Sequence, residues 1–491
     1  STLPTVSGQT ITIPADCYGS FKLVAKWDEA VASVTFDGTT TYHSTLNKAF
    51  TKANGQVSTA SKNSTITILV KTASITAQIK VNSERFVNLT ASVSTTITRT
   101  GKFAMISNYG TFKIYGTDSV SITFQGDTQD AVLLGNNANS NLTLGKNVII
   151  TGNTTTSNGC AVTSVGTLIV DGASITNNKG GNGAGIMSFK NSLGTGIVNI
   201  LSGSFTGNSA TNGGAIFTQG EMTISGGTFD SNTATSSSGA IQNSGKLVIT
   251  GGTFTNNTAN YGGVIGNATG ATLEISGGSF KSNTATNIGG VIQNDGTSVT
   301  ITGGTFDSNS ATNNAGVLNN ANSKGIVTIS NASFTNNKAS RGGVLYNVGT
   351  LTINSGSFTG NSTTAEGGVM RHTGGTLTIN GGTFESNSST GAGAVISMAN
   401  APTTYIKGGT FNANTSGSYA GVADCYGTVE VTGGTFTNNS AVNGGGVFSQ
   451  GAAASHILTI TGGRFDCNKV TSGQGGAVLI HQGTIGGTAE F

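Results

Sequence analysis

A phenylalanine that returns every 24–29 residues, each time followed three positions later by asparagine, constrains this chain more than anything else in it. The Phe sites are 205, 229, 254, 280, 306, 334, 358, 384, 411, 436 and 465. The Asn sites are 208, 232, 257, 283, 309, 337, 361, 387, 414, 439 and 468. A repeat of this length means a stack of similar supersecondary units, in which each unit buries its apolar face on its neighbours. Two further blocks share the period. One is Gly-Gly-Ala/Val-Ile/Leu, as at Gly213–Ile216, Gly262–Ile265, Gly289–Ile292 and Gly342–Leu345, with Asn following at 243, 267, 294, 320 and 347. The other alternates aliphatic and polar residues, as in Leu247-Val-Ile-Thr250 and Leu351-Thr-Ile-Asn354. Period-two alternation reads as strand, and no helical period occurs inside the unit.

The expected fold is therefore all-β: a single parallel β-helix of about 16 coils with three short strands per coil. Its rod would be roughly 75–80 Å long at the strand spacing. Inward Phe residues should stack as an aromatic column. Corner asparagines should hydrogen-bond coil to coil as an amide ladder. Ile175 with Asn178, and Ile150 with Asn153, keep the three-residue offset; Phe124 with Asp127 extends it. Two regions are expected. Residues 1–63 hold N-terminal strands, including Gln9–Ile13 and Phe21–Val24, and a short helix. Residues 64–491 hold the β-helix, with degenerate coils over 64–148 and regular coils over 149–491. The helix is read from Leu46, Ala49, Phe50 and Ala53 on one face, with Ser44 as N-cap and Gly55 as C-cap. It should cover the first coil, whose strand edges would otherwise stay unpaired.

Composition agrees. Of 491 residues 76 are Gly and 3 are Pro, as corners that need positive φ and strands that need every ladder N–H require. Charged residues are 9% and the net charge is +3, so there is no basic field for nucleic acid. Runs such as Ile66–Val70 are too short to span a bilayer as a helix. Ser1 opens the sequence without a basic and apolar leader, so any signal peptide is read as removed or never included. Cys17, Cys160, Cys425 and Cys467 match no zinc or redox spacing. A Cys425–Cys467 bridge is disfavoured, because the two occupy different positions of the repeat.

The paired Gly-Gly-Ala/Val-Ile and Phe-x-x-Asn blocks over about 200–480 resemble the repeats of chlamydial polymorphic outer-membrane proteins and of adhesin-like surface proteins in other microbes. The resemblance implies a right-handed parallel β-helix, secreted and acting in attachment at a cell surface. The C-terminal membrane barrel of autotransporter members has no counterpart in this sequence.

Many β-helices act on polysaccharides, so the 20 carboxylates bear on the class of function. Asp230, Asp307, Glu385 and Asp466 share one repeat position but lie three coils apart, about 14 Å, beyond the ~5.5 Å of retaining and ~6.5–9.5 Å of inverting glycosidases. Asp127 and Asp130 read as a solvated corner. His43, His372, His456 and His481 share no column, and His372 stands where a corner Asn is expected. Lys338, Arg341 and Arg371 make a small basic spot near His372, a weak candidate contact for carbohydrate or phosphate. No catalytic, cofactor-binding or metal-binding residue is assigned.

The expected function is a non-enzymatic extracellular protein, either a surface adhesin or a fibre subunit. Its partners would be a cell-surface ligand, or copies of itself joined end to end through Phe465–Phe491 and Ser1–Val24. A polysaccharide lyase or hydrolase is the alternative. Ice binding through the outward Thr300/Thr302, Thr328/Ser330, Thr352/Asn354 and Thr459/Thr461 pairs is a further one, although Glu274, Tyr405, Lys407 and Glu430 interrupt that face.

Overall fold

The computed structural model describes residues 29–156, 160–451 and 455–480, together with the backbone of three short strands, Thr5–Ser7, Thr10–Thr12 and Gly483–Ile485. Phe21–Val24, Cys17, His481 and Phe491 lie outside the described residues. So does the proposed end-to-end contact, apart from its nearer coil.

The chain is a parallel β-solenoid. Sheet three, the best counter of coils, has 16 strands, from Ile79–Val81 to Val478–Leu479, paired in parallel each with the next coil. The coil around Phe254 shows the path. Lys246–Ile249 and Thr253–Thr255 both enter sheet one, on either side of a Gly-Gly bend; Thr258–Tyr261 enters sheet two; Ile265–Asn267 enters sheet three. Three strands per coil were expected; this coil has four, two of them in sheet one. The expected blocks place two runs in sheet one and leave sheet two unnamed. Sheet two turns only a small residue inward, Ala259, Ala285, Ala311 or Ala339, so it carries little apolar signal. In the earlier coils Thr167–Thr176 and Ile197–Thr206 run unbroken through the sheet-one bend.

Burial alternates along the strands. Leu247, Ile249, Phe254, Val264 and Ile265 are fully buried. The eleven Phe rings form one column, with successive centroids 4.6–4.9 Å apart and planes within 2–15° of parallel. The coil rise of about 4.8 Å imposes this parallel stacking, within the centroid range of stacked aromatic pairs. Upstream the column continues through Ile175, Ile150 and Phe124 to Ile97, in register.

Two Gly residues show why the corner between sheets two and three needs them. Gly262 has φ +63°, and a Cβ there would strike the Ile265 carbonyl. On Gly263 it would strike the Gly290 carbonyl of the next coil.

The helix, Leu46–Asn54, buries Leu46, Ala49, Phe50 and Ala53, the four residues expected. Its N-cap is Thr45 rather than Ser44: the Thr45 hydroxyl accepts from Lys48 N at 3.2 Å. Gly55 closes the helix in the right-handed region at φ −74°, its N–H returning to Thr51 and Lys52 carbonyls. The helix does cover the first coil. Phe50 meets Phe112 edge-on at 5.8 Å. Asn54 gives its Nδ2 to the Lys80 carbonyl at 2.7 Å and takes Asn82 N on Oδ1 at 3.0 Å. An amide side chain thus pairs the free edge of sheet three where a preceding strand would sit. The hairpin of Ala32–Phe36 and Thr39–His43 does the same for sheet one, pairing antiparallel to Ser64–Ile68.

Candidate functional site

The inward columns are structural, and they claim most of the polar residues that a sequence search would single out. In the first ladder Asn309 is typical. Its Oδ1 accepts from both the N and the Nδ2 of Asn283 at 3.0 Å, and its Nδ2 donates to Phe280 O at 2.9 Å and to Asn337 Oδ1 at 3.0 Å. The same pattern runs from Asn178 to Asn468. Asn361, which opens an Asn-x-Thr/Ser sequon, is enclosed in it.

Asp127 is not a solvated corner. It holds the ladder position ahead of Asn153 and is gripped by Arg99, whose side chain is wholly buried: Nε to Oδ2 at 3.0 Å and Nη2 to Oδ1 at 2.6 Å. Arg99 also donates to the carbonyls of Phe103, Ala131 and Val132 and to Asn153 Oδ1. Burial pushes the Asp127 carboxyl up, but Arg99 and Gln129 N hold it below the usual carboxylate range. Asp130 accepts from Thr156 N at 2.8 Å.

The second ladder lines the inside of sheet three. Asn243, Asn267, Asn294, Asn320 and Asn347 donate Nδ2 to Oδ1 of the next at 2.7–2.8 Å. His372 continues it, with Nδ1 3.1 Å from Asn347 Nδ2. It is a ladder substitution facing the core, and burial pushes its pKa down to about 4. Cys425 stands two coils further on, buried, with its thiol pushed well up by burial. Cys467 is exposed at a corner, so the two thiols are not bridged.

The outer face carries the candidate site. Along each sheet-three strand the middle residue points away from the core. Yet Gln293, Asn319, Ser397, Asp424 and Ser449 in that row are buried. The cause is the re-entrant corner with sheet two. The last residues of sheet two form a facing row, with Tyr261, Ile288, Asn314, Arg341 and Glu366 paired coil by coil. Ser238 Oγ reaches across to Gln242 Oε1 at 2.6 Å. The result is a cleft running along the rod.

Its earlier part is lined by amides: Asn319 Nδ2 donates to Gln293 Oε1 at 2.8 Å, and Gln293 Nε2 to Asp295 Oδ1 at 3.0 Å. Its later part is charged and aromatic. Tyr346, Arg371, Ser397, Asp424 and Ser449 occupy consecutive rungs of the floor. Arg371 pairs with Glu366 and donates to Ser397 Oγ, while Arg341 Nε lies 3.9 Å from the same Glu366 oxygen. Two of the three residues of the expected basic spot, Arg341 and Arg371, thus lie against Glu366, and His372 faces the core instead. Asp424 is 7% exposed and makes no hydrogen bond or ion pair among the described residues. Burial pushes its carboxyl up to about 7, Arg371 opposing and Glu366 adding to the shift. Tyr419 and Tyr426 flank it with 43% and 44% exposure, and the Asp424 charge pushes the Tyr426 phenol up.

Glu366 and Asp424 were missed in the sequence, where carboxylates were compared only within one repeat column or as close neighbours along the chain. The available signal was the interval: Arg341 to Glu366 is 25 residues, and Arg371 to Ser397 to Asp424 is 26 and then 27, one coil each.

The column of Asp230, Asp307, Glu385 and Asp466 stays dispersed, each tied to a neighbour. Thr255 and Asn256 hold Asp230, Lys281 holds Asp307, Asn412 holds Glu385 and Arg464 holds Asp466. On the outer face of sheet one Thr300, Thr328, Thr352 and Thr378 are in register, bounded by Glu274 on one side and by Tyr405 and Glu430 on the other. No helix among the described residues is long and apolar enough to cross a membrane. No family model, curated protein or solved structure matches the chain.

Proposed function

We propose that this chain is a non-enzymatic extracellular protein of a cell surface or fibre, a stiff rod that carries attachment chemistry on its outside. The observation behind this reading is the continuity of the interior. One aromatic column and one amide ladder run through every coil from Phe205 to Phe465 without a break for a pocket. Such a core is suited to length and stiffness. The surface supports the same reading: hydroxyl and amide side chains dominate it, and most of the outward carboxylates are tied to neighbours. The repeat blocks resemble those of adhesin-like surface proteins.

A second reading, an enzyme acting on polysaccharide, is favoured by one feature, the presence in one cleft of Glu366, held by Arg371, and of an Asp424 raised towards neutrality. Antibody labelling of intact cells of the source organism tests the first reading. Labelling without permeabilisation is expected. Labelling only after permeabilisation would reject it.

A further inference from the structure

The cleft around Asp424 has no task in the rod. A carboxyl is costly to bury unless it is paired. Here it is more than nine-tenths buried and faces outward on the cleft floor, while Arg371, the guanidinium that bears on it, is committed to Glu366 and Ser397. Exposed aromatic residues stand on both sides: Tyr419 belongs to the sheet-two row and Tyr426 follows the sheet-three strand. Ser397 and Ser449 lie one coil to each side of Asp424.

We infer that this cleft binds an uncharged saccharide chain lying along the rod axis, with its hydroxyls on Asp424 and Arg371 and its ring faces on Tyr419 and Tyr426. This names the ligand class for the surface-attachment reading and rests on it. Three observations select the ligand. Aromatic rings beside polar groups match the two faces of a pyranose, one of C–H and one of hydroxyls. Arg371, the guanidinium nearest Asp424, is already paired with Glu366, so it is not free to hold an anionic ligand. The coils repeat at roughly 4.8 Å, close to the advance of one sugar in an extended glycan, so a chain lying along the rod meets about one coil per sugar.

The test is retention of the purified chain on immobilised neutral oligosaccharides of several linkages, with acidic oligosaccharides and a plain matrix alongside. Binding to at least one neutral oligosaccharide is expected. Tyr426→Ala and Asp424→Asn should each weaken it at least tenfold, with thermal melts confirming that both variants are folded. Tyr115→Ala, remote from the cleft, should leave it unchanged. Failure to bind any neutral oligosaccharide, binding only to acidic ones, or retention equal in wild type and both cleft variants would overturn the inference. If that happens while intact cells still label, the surface reading stands without it. The oligosaccharide should be recovered at its original length. Shortened products would instead overturn the non-enzymatic reading and put Glu366 and Asp424 to catalytic use.

Discussion

At the scale of single residues, some side chains hold coils together and others face out. Asn309 is the clearest of the first kind. Replacing it with Ala takes the acceptor from Asn283 N and Nδ2 and a donor from the Phe280 carbonyl, while Asn337 Oδ1 keeps only the bond from the backbone N–H. Denaturant unfolding of Asn309→Ala should show a loss of about 4 kcal/mol. His372 gives a prediction with a pH sign. Its folded pKa, about 4, is below the ordinary His value of 6.5, so its neutral form contributes stability that is present above pH 6.5 and is lost as pH falls towards 4. The loss is roughly 3 kcal/mol. His372→Asn restores the ladder amide and should remove that acid sensitivity, measured as melting temperature against pH.

Asp424 runs the other way. Its folded pKa is raised to about 7, so its contribution is fully present below about pH 4 and declines as pH rises through 7. Asp424→Asn should therefore be more stable than wild type at pH 8, by up to about 4 kcal/mol, with the difference closing at pH 4. A stability difference between Asp424→Asn and wild type that does not change between pH 4 and pH 8 would place the carboxyl in water rather than in the cleft.

At the scale of elements, the parts with strong side-chain signals were legible in the sequence. The Phe column, the Asn offset and its continuation to Ile175, Ile150 and Phe124 all follow from spacing. So does the helix face, since Leu46, Ala49, Phe50 and Ala53 recur at the helical interval. Sheet two was not legible, because its inward residue is a single Ala among Thr, Asn and Ser. The start of the ladder was not legible either. Arg99 lies 28 residues before Asp127, and nothing local marks an arginine whose side chain will be wholly buried. The cleft was hidden for a third reason. Its walls come from two sheets, so residues that meet there occupy different positions of the repeat. The Arg99–Asp127 pair yields an element-scale prediction. Arg99→Met removes the partner of a carboxylate and takes the guanidinium donor from the Phe103 and Val132 carbonyls and from Asn153 Oδ1. It should cost about 3–5 kcal/mol and speed hydrogen exchange first in residues 95–153, ahead of the regular coils.

At the scale of the whole molecule, the central claim is that repetition makes one continuous rod. Each coil touches only its neighbours, yet the ring column and the amide ladder pass through all the regular coils, so bending at one point would have to open both. The low charge and high Gly content follow from that plan: corners take the glycines, strands exclude proline, and hydroxyls and amides clothe the outside. Attachment then needs only local variation on the outer rows, as in the stretch from Tyr346 to Ser449. The most direct measurement is electron imaging of the purified chain. The account predicts straight rods of uniform width, about 75 Å long for 16 coils, alone or joined end to end. Compact particles without a long axis, or rods bent at variable points within the regular coils, would contradict it.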